Sequence, residues 1–148
     1  MQTVSNRLYG SAQTRFSIDQ SIARLTIEGV FSCADSVKIL SGCDDDLRVA
    51  PASALIADHS RSRMEMSARG LLIRAQSVLD SGYRLRIPVG FVIRPDEAEM
   101  WRTYCLLMGR RGSLRQAFTD PAQAGQWAAE MAAIYESEAR RRERGQSR

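Results

Sequence analysis

Hydrophobic positions recur along this chain with two periods, and the changes from one period to the other lay out its elements. Phe16 and Ile18 alternate with Arg15 and Ser17; beyond Asp19-Gln20-Ser21, the residues Ala23, Leu25 and Ile27 alternate with Arg24, Thr26 and Glu28. Period-2 segments on both sides of a short polar turn predict a β-hairpin, its second strand ending near Gly29. Ser32 is placed to cap a helix with Asp35 in its first turn, where a negative charge meets the positive end of the helix dipole. In that helix Val37 and Leu40 face the sheet, Gly42 is the expected stop, and Asp44-Asp45-Asp46 follow as a solvated loop.

A short buried strand, Ala54-Leu55-Ile56-Ala57, is expected to end at Asp58 and give way to a hydroxyl-rich loop. The period then becomes helical: Met64, Ala68, Leu71, Leu72, Ala75, Val78 and Leu79 share one side, with Glu65, Arg69, Gln76 and Asp80 mainly on the other. Gly82 closes this helix, and Leu85 to Ile93 is an apolar strand with Pro88 at its start or at a bulge. Strand, helix and strand in this order form a crossover, the unit from which parallel sheets with helical cover are built. Pro95 and Asp96 open a third helix in which Ala98, Trp101, Cys105 and Met108 share a face. Gly109 and Gly112 bracket a basic turn, and Leu114, Gln116 and Phe118 alternate as a last strand. Asp120 followed by Pro121 starts the final helix, with Ala124, Trp127, Ala128, Met131 and Tyr135 as its inner stripe. The predicted order is ββαβαβαβα.

The 148 residues suit one domain. Residues 1–13 lack periodicity and are expected to be a flexible arm, residues 14–138 the domain, and residues 139–148 an arginine-rich tail. The formal charge of +4 comes from arginine, Lys38 being the single lysine. In the tail Arg140, Arg141, Arg142, Arg144 and Arg148 are interrupted by Glu143, a weaker nucleic-acid signal than an unbroken basic block. Cys33, Cys43 and Cys105 are an odd set without metal-ligand spacing and read as free thiols. A single histidine, His59, excludes a His-rich metal site. No apolar run approaches the roughly 18 residues of a membrane span, and Met1 to Arg7 lead into polar sequence unlike a signal peptide. A cytoplasmic address is expected.

The element order, with Ala54-Leu55-Ile56-Ala57-Asp58 before the second helix and Phe118-Thr119-Asp120-Pro121 followed by Ala124 and Trp127, resembles the STAS superfamily, in particular its SpoIIAA-like branch. The resemblance runs from about Thr14 to Tyr135. It implies an α/β fold with a mixed five-stranded sheet flanked by helices, and a regulatory, protein-binding role. Anti-sigma-factor antagonists of this superfamily switch partner binding by phosphorylation of a serine at the start of the second helix, within an Asp-Ser-Ser-Gly-Leu-like motif. This chain has Met66-Ser67-Ala68-Arg69-Gly70-Leu71 there. Ser67 matches the first hydroxyl, but Ala68 replaces the second, Met66 replaces the acid, and Arg69 is an additional residue. The phospho-switch is therefore not carried over intact.

The candidate regulatory and interaction residues are Asp58, Ser60, Ser62 and Ser67. Hydroxyls and guanidinium groups (Arg61, Arg63) near a helix N-terminus suit an anion or a phosphorylated serine; the competing reading gives Asp58 and Ser62 turn and cap hydrogen bonds and leaves the arginines in solvent. His59 and Ser60 do not form a catalytic dyad, because neighbouring residues in an extended segment point to opposite sides. The glycine patterns of nucleotide sites are absent, and Asp44-Asp45-Asp46 lack the later Gly and Glu of a calcium loop. Trp101 and Trp127 belong to inner helical stripes and read as core, whereas Met64 and Met66 suit an adaptable apolar pocket. The expected protein is non-enzymatic, without cofactor or metal, and binds a regulatory protein partner. The alternative is a small apolar molecule or lipid held between helices and sheet, and nucleic-acid binding through the tail ranks third.

Overall fold

The computed structural model describes residues 1–65, 67–81, 86–110, 112 and 114–146. Its strands are β1 (Gln2–Tyr9), β2 (Ala12–Asp19), β3 (Ile22–Ser32), β4 (Ala54–Glu65), β5 (Val89–Val92) and β6 (Arg115–Phe118). The helices are α1 (Cys33–Val49), α2 (Ala68–Ser81), α3 (Ala98–Gly109, entered through a 3-10 turn at Pro95–Glu97) and α4 (Pro121–Gln146). One sheet holds the six strands in sequence order: β1, β2 and β3 are antiparallel neighbours, and β3, β4, β5 and β6 are parallel. The expected mixed sheet is present, with one strand more than the five anticipated.

The additional strand is β1, within the residues expected to be a flexible arm. It pairs with β2 through a two-residue turn at Gly10 and Ser11, Gly10 taking φ 60°. Its partly buried groups mix the polar Ser5 and Arg7 with Val4 and Tyr9, so hydrophobic alternation does not reveal it. The Ser5 hydroxyl donates to Asp46 Oδ2 at 2.7 Å, and the Arg7 guanidinium meets Asp46 Oδ1 at 3.0 Å. Asp46 is therefore a buried helical anchor, where a solvated loop was expected, and α1 runs past Gly42 to Val49. Gly42 is not a stop but a contact point: a Cβ there would meet Arg7 Nη1 and the Tyr9 hydroxyl. Ser32 caps α1 as expected, and its capping box is complete, since Asp35 answers the Ser32 backbone N–H.

The helices divide between the two faces of the sheet. Along β4, Leu55 and Ala57 point to the face covered by α1, α2 and α3, while Ala54 and Ile56 point to α4; β5 divides likewise, Val89 and Phe91 against Val92. On the α4 face, Ala124, Ala128 and Ala132 are fully buried and let the helix lie close to the strands. Gly90 completes this contact, because a Cβ on it would stand 3.1 and 3.2 Å from two carbons of the Trp127 ring. Gly90→Ala is expected to cost about 1–3 kcal/mol through overpacking, read as a thermal midpoint lowered by several degrees. An unchanged midpoint would show that Trp127 yields freely.

Two further boundaries move. The segment expected to be a loop after Asp58 continues as strand to Glu65, and α2 begins at Ala68. At the other end, α4 continues through the residues expected to form a tail as far as Gln146. Glu138 stands four residues before Arg142, the order that supports a helix, and the Ser53 hydroxyl donates to Glu136 at 2.9 Å. The strand expected from Leu85 is ordered ladder only from Val89, directly after Pro88; Gly82 and Leu85 lie outside the described residues.

Candidate functional site

The extension of β4 is irregular in one place, and that irregularity shapes the site. Thr26 of β3 pairs with Asp58, but Glu28 pairs with Arg61, so β4 carries one extra residue over this interval. The inward series Leu55, Ala57, His59 would continue at Arg61 in a regular strand; after the bulge it continues at Ser62 and Met64. Arg61 and Arg63 are turned outward, to Glu28 at 3.3 Å and Asp96 at 3.8 Å.

His59 and Ser62 are thus brought to one face, His59 Nδ1 lying 3.1 Å from Ser62 Oγ. The imidazole is fully enclosed by rings, its centroid 4.3 Å from Trp101, 5.8 Å from Phe31 and 5.9 Å from Phe91. Burial, with the Arg74 cation nearby, holds its pKa well below the usual histidine value, so it is neutral at physiological pH. The Ser62 hydroxyl can also donate to the His59 carbonyl at 3.2 Å. A buried serine bound to backbone and an imidazole so reluctant to take a proton are poorly suited to nucleophilic chemistry.

The same face holds a cavity of about 40 Å³ between the sheet and the helices α1, α2 and α3. Apolar side chains such as Ile39, Leu55 and Phe91 form most of its wall, and His59, Arg74, Tyr104 and Arg115 supply polar groups. Arg74 is buried at 6% exposure. Its guanidinium carbon lies 4.8 Å from the Tyr104 ring centroid and 5.4 Å from that of Trp101, and its Nη1 donates to Met64 Sδ at 3.2 Å. Its Nε has no hydrogen-bond partner. Arg115 donates to the carbonyls of Ile87 and Leu114 at 3.1 and 3.0 Å, and burial pushes its pKa down. The cysteines are free thiols. Burial raises Cys43, beside the cavity, to about 12 and Cys105 to about 11, which leaves both un-ionised at neutral pH.

The four residues singled out in the sequence are placed differently from one another. Asp58 is half-buried, accepts from the Ser60 amide at 2.9 Å and hydroxyl at 2.6 Å, and lies 3.7 Å from Arg24. Ser60 is exposed at the bulge, whereas Ser62 is buried at 2% exposure. Ser67 is exposed and caps α2, accepting from the Gly70 amide at 3.1 Å. Met64 belongs to the core, and Met66 lies outside the described residues. Trp101 is core as expected, at 1% exposure, and also the platform for Arg74. Sequence reasoning passed over Arg74, Tyr104 and the buried role of His59. One signal was available: Arg74 stands between Leu71 and Ala75 on the apolar stripe of α2, where a solvated arginine has no place.

Three antiparallel strands feeding a parallel set, with three crossover helices on one face and a terminal helix on the other, define an α/β module of SpoIIAA-like fold. A crystal structure of an uncharacterised protein from the DUF3478 family of Shewanella loihica PV-4, described as having a SpoIIAA-like fold, matches 84% of this chain and 98% of its own. The TM-score is 0.51 and the sequence identity 13%. No protein-family model matches the chain, and no curated protein matches it in sequence. No helix among the described residues is long and apolar enough to cross a membrane.

Proposed function

We propose that this chain is a non-enzymatic regulatory module that binds another protein through the end of β4 and the start of α2, with a small ligand in the cavity as its input. The observation that carries this reading is that α2 bears both sites. Ser67 caps its exposed end, and Arg74 enters the cavity two turns later, about 10 Å along the axis. Arg63 and Arg69 add exposed basic groups close in sequence to Ser67, on which a phosphate would be paired, while Ser60 and Arg61 extend the exposed polar edge farther back along β4. Ser62 is too deeply buried to share that role.

Affinity purification from the native cell, quantified by mass spectrometry, tests the surface. Ser67→Asp preserves a good helix cap while adding a charge, so its effect does not pass through the helix. Gln123→Asp on exposed α4 is the matched control; Ser36 is unsuitable, because it is buried at 2% exposure. The expected result is a protein recovered equally by wild type and Gln123→Asp and at least fivefold less by Ser67→Asp. Equal recovery by all three would remove this surface from the proposal.

The cavity supports a second reading, that the ligand is the function and the chain a small-molecule binding protein. Its apolar wall and few convergent polar groups are the usual make-up of such sites.

A further inference from the structure

Arg74 presents a problem that the fold alone does not resolve. A guanidinium withdrawn from water is strongly disfavoured unless charge and hydrogen bonds compensate it. Stacking on the Trp101 and Tyr104 rings offsets part of that cost. A thioether sulfur is a weak acceptor, and the Nε–H has no acceptor at all. Among the described residues no carboxylate lines the cavity or pairs with Arg74, while the second lining cation, Arg115, already donates to two backbone carbonyls. His59, neutral, contributes no balancing charge.

The void beside this cation, at about 40 Å³, is several times the roughly 10–15 Å³ that one enclosed water needs on the same measure, which leaves room for a compact group of a few heavy atoms. Its apolar wall suits carbon, and a planar fork of N–H donors matches a carboxylate. Inorganic phosphate is more highly charged and would leave the wall unsatisfied. We propose that the cavity is a carboxylate site: a short-chain monocarboxylic acid sets its anionic oxygens on the Arg74 guanidinium and its carbon chain against Ile39, Leu55 and Phe91. This rests on reading the cavity as a ligand site, and it adds the class of ligand. Binding would supply the acceptor that Nε lacks and would tie α2 to the sheet, changing the stability of the helix that carries Ser67.

Trp101 touches Arg74 and serves as the reporter. The sequence contains two tryptophans, so the Trp127→Phe background leaves Trp101 alone. Full-length protein is titrated with sodium butyrate, with 1-butanol as its neutral counterpart, and with inorganic phosphate at matched ionic strength, reading Trp101 fluorescence and the thermal midpoint. The expected result is saturable binding of butyrate with a raised midpoint, and binding of 1-butanol and phosphate at least tenfold weaker. Arg74→Met is expected to fold, because a buried charge is exchanged for an apolar side chain, and to reduce butyrate to the level of 1-butanol. Arg74→Lys retains the charge without the fork and should bind butyrate with intermediate affinity, which keeps the test decisive should the Met variant fail to fold.

Equal binding of butyrate and 1-butanol by the wild type would overturn the carboxylate assignment while supporting an apolar ligand site. Phosphate binding as well as butyrate would show recognition of a free inorganic anion and overturn the ligand class. Absence of binding by all three probes would overturn both this assignment and the reading of the cavity as a ligand site.

Discussion

Trp101→Ala is expected to destabilise the protein by about 3–5 kcal/mol, the cost of removing a large aromatic from a closed core. The indole is fully buried, and its neighbours depend on it. Its centroid lies 4.7 Å from Phe91 and 5.8 Å from Tyr104, so it joins α3 to β5 and also carries His59 and Arg74. Truncation would leave a void beside a cation that has just lost one of its two stacking partners. Thermal unfolding followed by circular dichroism should show the midpoint falling by about 6–20 °C. A decrease below about 2 °C would mean that this ring cluster is not what holds α3 to the sheet.

The second large effect is a loss of stability on acidification, assigned to His59. Its pKa in the unfolded chain is about 6.5, while burial, followed by the charge of Arg74, holds the folded value well below that. Below about pH 6.5 the unfolded chain therefore takes up a proton that the folded chain refuses, and stability falls as the pH falls. For one proton the slope is at most about 1.4 kcal/mol per pH unit, and it holds while the pH lies between the unfolded and the folded value. Glu97 acts in the opposite sense, since burial raises its pKa and the folded protein binds its proton more readily. The comparison is therefore between wild type and His59→Phe, which share Glu97. Urea unfolding at pH 7 and 4.5 should give a decrease larger in the wild type, by up to about 1.4 kcal/mol for each pH unit below 6.5. Parallel pH profiles would contradict a buried, neutral His59. Ser62 retains the His59 backbone carbonyl as an acceptor in the variant, so no hydroxyl is stranded.

The parts of the fold that could be read from the sequence were those in which periodicity and punctuation coincide. The β2–β3 hairpin, the Ser32 cap, the Pro95 and Pro121 helix starts and the inner faces of α3 and α4 each combine an apolar repeat with a residue of fixed backbone preference. What was not legible is polar inside. The β1 strand faces Asp46 through Ser5 and Arg7, and its apolar contacts, Val4 and Tyr9, do not alternate, so no period marks its inward side. Asp44, Asp45 and Asp46 look like loop for the same reason, although the third is an interior partner.

The site was legible to a smaller degree. Asp58, Ser60 and Ser67 were located near the correct element, but the strand continues through the first two, and only Ser67 belongs to a helix start. The cavity itself was hidden by two departures from pattern: a cation on an apolar helical stripe, and a strand whose alternation changes phase partway. Neither departure follows from local preference; each depends on what the rest of the chain packs against it.

That change of phase has a consequence for how this chain tolerates length variation. Before the bulge the odd-numbered residues of β4 look inward, and after it the even-numbered ones do. Loss of Ser60, an exposed residue making only local bonds to Asp58, would restore a regular strand in which Leu55, Ala57 and His59 are followed inward by Ser62 and Met64, as they are now, with Arg61 and Arg63 still outward. Substitution and deletion of Ser60 therefore both leave the same side chains beneath the helices, whereas loss of a residue from the regular stretch before the bulge has no such slack to absorb it. The bulge thus acts as slack in the strand: a one-residue loss there changes its length without changing which side chains are interior and which are surface.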